Sequence, residues 1–193
     1  VTQRRGPIAI ISLLTTIIIG LQIPKIELND EFIGYFSEDN AFRVDSDYTM
    51  KNLTGIYQIN FDLKSGESQG VADPAFLAKV EEFANFLRDE PMVTHVNSIT
   101  DVFKRLNKNM HADEESQYKL PEARDLAAQY LLLYEMSLPY GLDLNNQVDV
   151  DKSSTRLTAN LGFVSTSEII EIVTRAENWL KSNSPENMHT LAT

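Results

Sequence analysis

The most apolar stretch of the chain lies near its N-terminus. Residues 7–24 (PIAIISLLTTIIIGLQIP) form an 18-residue run with no charged side chain, and seven of its residues are Ile. An α-helix of this length is about 27 Å long, close to the roughly 30 Å hydrocarbon thickness of a bilayer. A core helix of a soluble domain is the alternative, but such a helix usually keeps one polar face. We therefore predict a transmembrane helix over residues 7–24.

The residues that flank this run predict its orientation. Arg4 and Arg5 precede it, and basic residues normally stay on the cytoplasmic side of a membrane. Residues 1–6 are therefore expected in the cytoplasm, and the chain after residue 24 outside it. A cleaved signal peptide is a second alternative, but residues 22–24 (QIP) lack the small residues of a cleavage site. The run is expected to remain as an anchor.

The next two segments differ in their periodicity. Apolar residues are sparse and irregular over residues 25–52, which we interpret as an extended lead-in. From residue 53 onward apolar positions alternate with polar ones, which is typical of a half-buried strand that ends at Ser65-Gly66. The alternating positions are Leu53, Gly55, Tyr57, Ile59, Phe61 and Leu63.

Helical spacing follows this strand. Asp73 is a good N-cap and Pro74 suits the first helical position, so a helix is predicted over residues 74–89. Residues 93–97 predict a short second strand, and Ser98 or Thr100 caps another helix. The apolar residues that share one face of the first helix are Phe76, Leu77, Val80, Phe83, Ala84 and Leu87.

An insertion is predicted over residues 107–155. Residues 107–119 are polar and acidic and are interpreted as a solvated loop, and a helix is expected over residues 121–137 because proline suits a first turn. A hairpin then turns at residues 152–154 and leads into a good strand. The inward positions of that strand are Leu157, Ala159, Leu161 and Phe163.

The last part of the chain again places a helix after a strand. Ser165 and Glu168 have the spacing of a capping box, and residues 188–193 begin a further strand. The order of elements predicts an α+β fold, a ferredoxin-like split βαβ sandwich with a helical and hairpin insertion. Helices at residues 74–89 and 168–181 would cover one face of the antiparallel sheet. We expect a natural chain to continue beyond this last strand.

Composition and charge exclude several classes of function. The 193 residues include 17 basic and 28 acidic side chains, a net charge of -11. Such a balance is unsuited to nucleic acid, which attracts basic surfaces. Residues 1–25 contain no acid, so the acidity belongs entirely to the part predicted to lie outside the cytoplasm. The absence of cysteine excludes disulfides, thiol catalysis and zinc–thiolate sites.

The sequence carries none of the common catalytic or phosphate-binding motifs. It has no GxGxxG, GxxxxGK[ST], GxSxG or HExxH, so neither an enzyme, a cofactor nor a metal is expected. The acid pairs are interpreted as solvated faces. A calcium site within residues 143–151 stays an alternative, because oxygen ligands are present there without the spacing of an EF-hand loop. The histidines expected on strands or the surface are His95, His111 and His189, and the acid pairs are Glu81-Glu82, Asp89-Glu90 and Glu114-Glu115.

One group of side chains suits the handling of lipids or similar molecules. Aromatic and flexible apolar residues surround the end of the helix predicted over residues 121–137, and such residues line sites for amphiphiles. Packing of the insertion onto the sheet is the alternative. The candidate substrate-path residues are Tyr130, Leu133, Tyr134, Met136 and Tyr140.

Several segments taken together resemble a known family. The basic residues and the apolar run are followed by PKIELNDEFIGYFSEDN, by IYQINFDLKSG, by DPAFLAKVEEFANFLRDE, and then by VTHVNSITDVFKRLN and LTANLGFVSTSEIIEIV. In this order and spacing they are similar to the first half of a resistance-nodulation-division (RND) exporter, in the hydrophobe/amphiphile efflux or MMPL branch. The resemblance covers essentially the whole chain and implies that residues 53–193 form the first extracytoplasmic porter domain.

The resemblance implies proton-driven export of hydrophobic or amphiphilic molecules across a bacterial inner membrane. The domain would form a periplasmic substrate conduit, with the bilayer, the substrate and the remaining half of the transporter as partners; a homo-oligomer is left open. The proton-relay residues of the family lie on later membrane helices, and residues 7–24 offer no titratable side chain. A membrane-anchored extracytoplasmic sensor or assembly module is the alternative, which the sequence beyond Thr193 would distinguish.

Overall fold

The fold is α+β and contains a small antiparallel sheet. A computed structural model describes residues 5–21, 32–139 and 144–193. Over these residues the helices are α1 (Arg5–Gly20), α2 (Ala41–Asn52), α3 (Pro74–Arg88), α4 (Ile99–Met110), α5 (Arg124–Ser137) and α6 (Thr166–Asn183). The strands are β1 (Tyr57–Lys64), β2 (Val93–Asn97) and β3 (Ser154–Leu161).

Helix α1 contains most of the apolar run predicted to cross the membrane. Its 16 residues end at Gly20, and residues 22–24 of the predicted segment lie outside the described residues. Among the residues described, no helix has both the length and the apolar character that a bilayer span requires. The large apolar side chains of α1 are each 49–63 % exposed; they are Ile8, Ile10, Ile11, Leu13, Leu14, Ile17, Ile18 and Ile19.

The lead-in prediction is wrong for its second half, because residues 41–52 form helix α2. The Asn40 side chain accepts a hydrogen bond from the backbone N–H of Phe42, and Arg43 pairs with Asp47 one turn later. Only Met50 of this helix is buried. Local capping and an i,i+4 ion pair therefore stabilise α2. Because the helix has no apolar stripe, its hydrophobic periodicity does not predict it.

Strand β1 begins four residues later than its alternating pattern predicts. Leu53 is 75 % exposed at the end of α2, and Gly55 lies directly against β3. A Cβ added at Gly55 would come within 1.6 Å of the Leu161 carbonyl oxygen, so only glycine allows this approach. The strand ends at Lys64, directly before the predicted Ser65-Gly66 stop, and Gly66 has φ +88°.

The sheet has the strand order β1-β3-β2, and both pairings are antiparallel. Ile59 lies opposite Ala159 and Phe61 opposite Leu157, and all four are buried. The shared inward face predicted for β1 and β3 is thus confirmed within the strands. Phe163 is the exception: it follows the end of β3 at Leu161 and is 52 % exposed.

Helices α3 and α6 contribute to the core on the buried face of the sheet. Asp73 caps α3 through the N–H of Ala75, and Ser165 and Glu168 form both bonds of the capping box at α6, as predicted. All six apolar residues predicted on the inner face of α3 are buried. The ring of Phe83 lies 5.0 Å from that of Phe61 and 5.4 Å from that of Trp179, which joins β1, α3 and α6.

The predicted solvated loop over residues 107–119 is partly wrong, because α4 extends to Met110 and Asn107 is buried. The side chain of Asn107 donates to the Gln117 carbonyl and accepts from the Tyr130 hydroxyl, so it links α4 to α5. Helix α5 begins at Arg124, three residues later than predicted. Pro121 is buried before the helix and does not occupy its first turn.

Thr193 lies beside the outer edge of β1. Residues 189–193 have no assigned strand, so the strand predicted over residues 188–193 is not confirmed as such. However, Thr193 and Asn60 exchange both backbone hydrogen bonds, at 2.8 and 3.0 Å. This reciprocal exchange is the pattern of one antiparallel residue pair.

The hairpin predicted before β3 contains an antiparallel bridge between Val148 and Thr155, and Lys152 in its turn has φ +54°.

Candidate functional site

A cleft of about 870 Å³ lies beside β2, which is an edge strand of the sheet. Residues of β2 line one side, and residues of α4, the end of α5, Tyr118 and Arg88 of α3 line the rest. Its volume falls within the range of about 300–1,000 Å³ that is common for small-molecule sites. The cleft is therefore large enough to accept an organic ligand.

Part of the cleft surface is apolar. Val93, Val102, Leu106 and Tyr134 line the cleft and also pack against the hydrophobic core. Val102 and Leu106 are four residues apart on α4, so they lie on one face of that helix. The packing of these side chains on the core holds an apolar surface in place where a ligand can contact it.

A network of charged side chains joins α3 to α4 beside this apolar surface. Arg88 donates to Asp101 at 2.7 Å, and Lys104 contacts Glu81 at 2.7 Å and Asp101 at 2.9 Å. The Thr100 hydroxyl donates to the second Glu81 oxygen at 2.5 Å. The Lys104 ammonium also lies 5.2 Å from the centre of the Tyr118 ring, within cation–π range.

Ion pairing and hydrogen bonding lower the pKa of Glu81 and raise the pKa of Lys104, although partial burial opposes both shifts. Burial raises the pKa of Glu81, but hydrogen bonds from Lys104 and Thr100 and the charges of Lys104 and Arg88 outweigh it, so the pKa is lowered overall. Burial lowers the pKa of Lys104, but its contacts with Glu81 and Asp101 outweigh that effect and raise the pKa. Both groups are therefore held in their charged forms.

Arg105 and His95 also line the cleft, and both are exposed. Neither side chain makes an ion pair with any residue in the described ranges. Arg105 follows Lys104 in sequence, and it is three residues from Val102 on α4. Its guanidinium is thus available beside the apolar surface of the cleft.

The structure brings only part of the sequence-predicted group together. Tyr134 lines the cleft. Tyr130 is buried and bonded to Asn107, and its burial raises the pKa of its hydroxyl. Leu133 is 39 % exposed and Met136 77 % exposed on α5, and neither is among the residues that line the cleft. Tyr140 lies outside the described residues. Tyr130 therefore packs in the hydrophobic core.

Sequence reasoning missed the charged half of the site. Glu81 was interpreted as part of a solvated acid pair, yet its side chain is only 18 % exposed within the network. Glu90, from another such pair, is 11 % exposed and bonded to Arg175. One feature of the sequence could have indicated these charges. Asp101 and Lys104 are spaced i,i+3, so they share one face of a helix whose Phe103 is buried.

Asp149, His111 and His189 form hydrogen bonds within the chain. In the described part of the chain, no group of three or more His, Asp or Glu residues is placed to hold a metal ion. Asp149, from the segment considered for calcium, accepts hydrogen bonds from Ser153 and Ser154, which close the turn before β3. His111 bonds the Asn107 carbonyl and His189 the Ser184 carbonyl.

Comparisons of the chain with family models, with curated proteins and with solved structures found no match.

Proposed function

We propose that this chain is the N-terminal part of a proton-driven RND-type exporter of hydrophobic or amphiphilic molecules. Residues 7–24 anchor it in a bacterial inner membrane, and residues 53–193 form an extracytoplasmic porter domain that contributes to the substrate conduit. The order and spacing of the segments that resemble this family are the starting point. Three structural features support the proposal.

The arrangement of the sheet is the first of these features. A ferredoxin-like sandwich places its third strand between the first two, with both helices on one face. The order β1-β3-β2, with α3 and α6 contributing to one core, is consistent with that arrangement. The reciprocal hydrogen bonds between Thr193 and Asn60 are where a fourth strand would join the outer edge of β1.

The apolar surface of α1 is the second feature. Eight large aliphatic side chains of α1 are at least 49 % exposed, and a soluble protein rarely leaves such a patch uncovered. A bilayer would cover it. The absence of titratable residues in residues 7–24 also means that proton coupling must reside elsewhere, which fits an anchor and not a motor.

The cleft beside β2 is the feature that carries the proposal. It places an apolar surface next to charged groups, and an amphiphile needs both kinds of contact. The domain is strongly acidic elsewhere, so nonspecific adhesion to anionic lipid headgroups would be weak. A domain that stands off the membrane and has an open amphiphilic cleft suits a conduit.

The topology can be tested with single cysteines, because these 193 residues contain none. Ser116 is exposed in a 3₁₀ turn between α4 and α5, and residue 3 precedes the apolar run. In intact spheroplasts, a membrane-impermeant maleimide should label Ser116→Cys. It should label Gln3→Cys only after the membrane is permeabilised.

The opposite labelling pattern would reverse the proposed orientation. Labelling of both cysteines in intact spheroplasts would contradict a membrane-spanning anchor. Transport itself is tested by deleting residues 53–193 from the exporter: loss of amphiphile efflux with the remaining part still inserted supports the conduit role. Unchanged efflux would favour a sensor or assembly role.

A further inference from the structure

We infer that the cleft beside β2 binds a single-chain amphiphile with an anionic headgroup, a carboxylate or a phosphate, which Arg105 holds. This inference rests on the proposed conduit function and specifies the substrate class of the same cleft. It combines three observations: the sign of the charges that line the cleft, the availability of Arg105, and the position of Arg105 relative to the apolar surface.

The charge of the cleft is opposite to that of the chain. The chain carries a net charge of -11, yet the ionised residues that line the cleft are three cations, Arg88, Lys104 and Arg105, and one anion, Asp101. Glu81 lies behind them and contacts both Arg88 and Lys104. With Glu81 counted, these side chains carry three positive and two negative charges, so the cleft is slightly positive on an otherwise acidic chain.

Arg105 is the cation that can accept a new anionic partner. Arg88 and Lys104 are each shared between Glu81 and Asp101, at distances of 2.7–3.3 Å. Those contacts compensate both carboxylates, so Asp101 does not repel an incoming anion strongly. Arg105 has no ion pair within the described residues, and guanidinium geometry suits bidentate binding of carboxylate or phosphate.

The position of Arg105 also sets the direction of the ligand chain. Val102, Arg105, Leu106 and Asn109 are spaced i, i+3, i+4 and i+7 on α4, so they form one stripe along the helix. A headgroup on Arg105 would place the hydrocarbon chain over Val102 and Leu106, in a cleft that Tyr134 of α5 also lines. A neutral molecule would gain the apolar contact alone, and a cationic one would be repelled.

Photo-crosslinking can test this preference in the full 193-residue chain held in a nonionic amphipol. Three diazirine probes with matched chains are compared: a dodecanoic acid, a dodecanol and a dodecyltrimethylammonium. Peptide mass spectrometry locates the label, and labelling of α1 measures the probe dissolved in the amphipol. The ratio of cleft label on α4 and α5 to label on α1 is the readout, so bulk partitioning cancels.

The acid should label the cleft about tenfold more than the alcohol, the factor expected from one charge-assisted hydrogen-bonded contact. Arg105→Gln should reduce labelling by the acid to the level of the alcohol, and Arg105→Lys should retain most of it. Arg156→Gln is the matched control, because Arg156 is also exposed and has no ion pair in the described ranges, but lines a different pocket.

Two results would overturn the inference, and they are distinguishable. Equal cleft labelling by all three probes would refute the headgroup preference and leave the conduit function standing. No cleft labelling by any probe would refute both. The comparison among probes uses the unsubstituted chain, so it decides the question even where a variant fails to fold. Circular dichroism checks the fold of each variant.

Discussion

Helix α3 separates two environments that differ in what they require of their side chains. Phe83 is completely buried among the rings of Phe61, Phe86 and Trp179, whereas Glu81 belongs to the half-buried ion network beside the cleft. Two residues apart on a helix means about 200° of rotation, so these side chains point to different sides of α3.

The difference shows how one helix can serve the fold and the site independently. The aromatic side depends on shape, because close-packed rings lose contacts when one of them is truncated. The ionic side depends on charge and on partial access of water. Changes on the first side should therefore alter stability without altering the charge of the cleft, and changes on the second should depend on pH and salt.

The largest expected effect is on the aromatic side. Phe83→Ala should lower the free energy of unfolding by about 3–5 kcal/mol, because it removes a buried ring and leaves a cavity. Urea denaturation followed by circular dichroism measures the loss. Phe163→Ala, at a ring that is 52 % exposed after β3, should cost less than about 1 kcal/mol. Equal losses at the two positions would contradict the assigned core.

The intermediate effect concerns pH and Glu81. A lowered pKa in the folded state stabilises the fold above the ordinary glutamate value of 4.5, and this contribution is lost as the pH falls through the folded-state pKa. Glu81→Gln should cost about 1–2 kcal/mol at neutral pH, since water partly screens the network. It should also flatten the decline in stability on acidification below pH 4.5.

Glu82→Gln is the matched control for this measurement. Glu82 is the next residue in the sequence, but its side chain is 52 % exposed and pairs only with Lys79 among the described residues. Its replacement should leave both the neutral-pH stability and the acid dependence nearly unchanged. If both variants behaved alike, the ionic side of α3 would have no special role in stability.

The smallest effect is expected for the pair between Arg175 of α6 and Glu90. The guanidinium donates to both Glu90 oxygens, at 3.1 and 2.7 Å, but Arg175 is 48 % exposed. Arg175→Gln should lower the unfolding free energy by less than about 1 kcal/mol, and added salt should reduce the difference. A loss larger than that of Glu81→Gln would reverse the ranking of the two ion-pair sites.

The elements that could be predicted from the sequence are those with a periodic apolar face. Residues 74–88 were predicted almost to their ends because the Asp73 cap, Pro74 and an apolar stripe all indicate the same helix. The inward face of β1 and β3 followed from alternation. Helix α2 was missed because only Met50 of its residues is buried, so the helix lacks the periodic stripe on which the prediction depends.

The site was harder to predict because its residues meet only through tertiary packing. Tyr134, which lines the cleft, was singled out only as one of a group of aromatic and flexible apolar residues in the sequence. Asp101 and Lys104 lie on a different helix from Glu81 and Arg88, and no local pattern shows that α3 and α4 will place these four charges together. The close approach of Gly55 to Leu161 could not be predicted either, because these residues are far apart in the sequence.

The claim that the cleft is a substrate path is tested most directly by export through Tyr134→Asp in the complete exporter. Tyr134 is only partly buried, so an aspartate there can stay solvated; the loss of its packing on the core should lower the melting temperature without unfolding the domain. Leu132→Asp is the control: Leu132 is 53 % exposed on the same helix and does not line the cleft. We predict that Tyr134→Asp lowers amphiphile efflux about tenfold, equivalent to about 1.4 kcal/mol, while Leu132→Asp leaves it unchanged. Equal efflux by the two variants, or a loss that appears only together with unfolding, would contradict the claim.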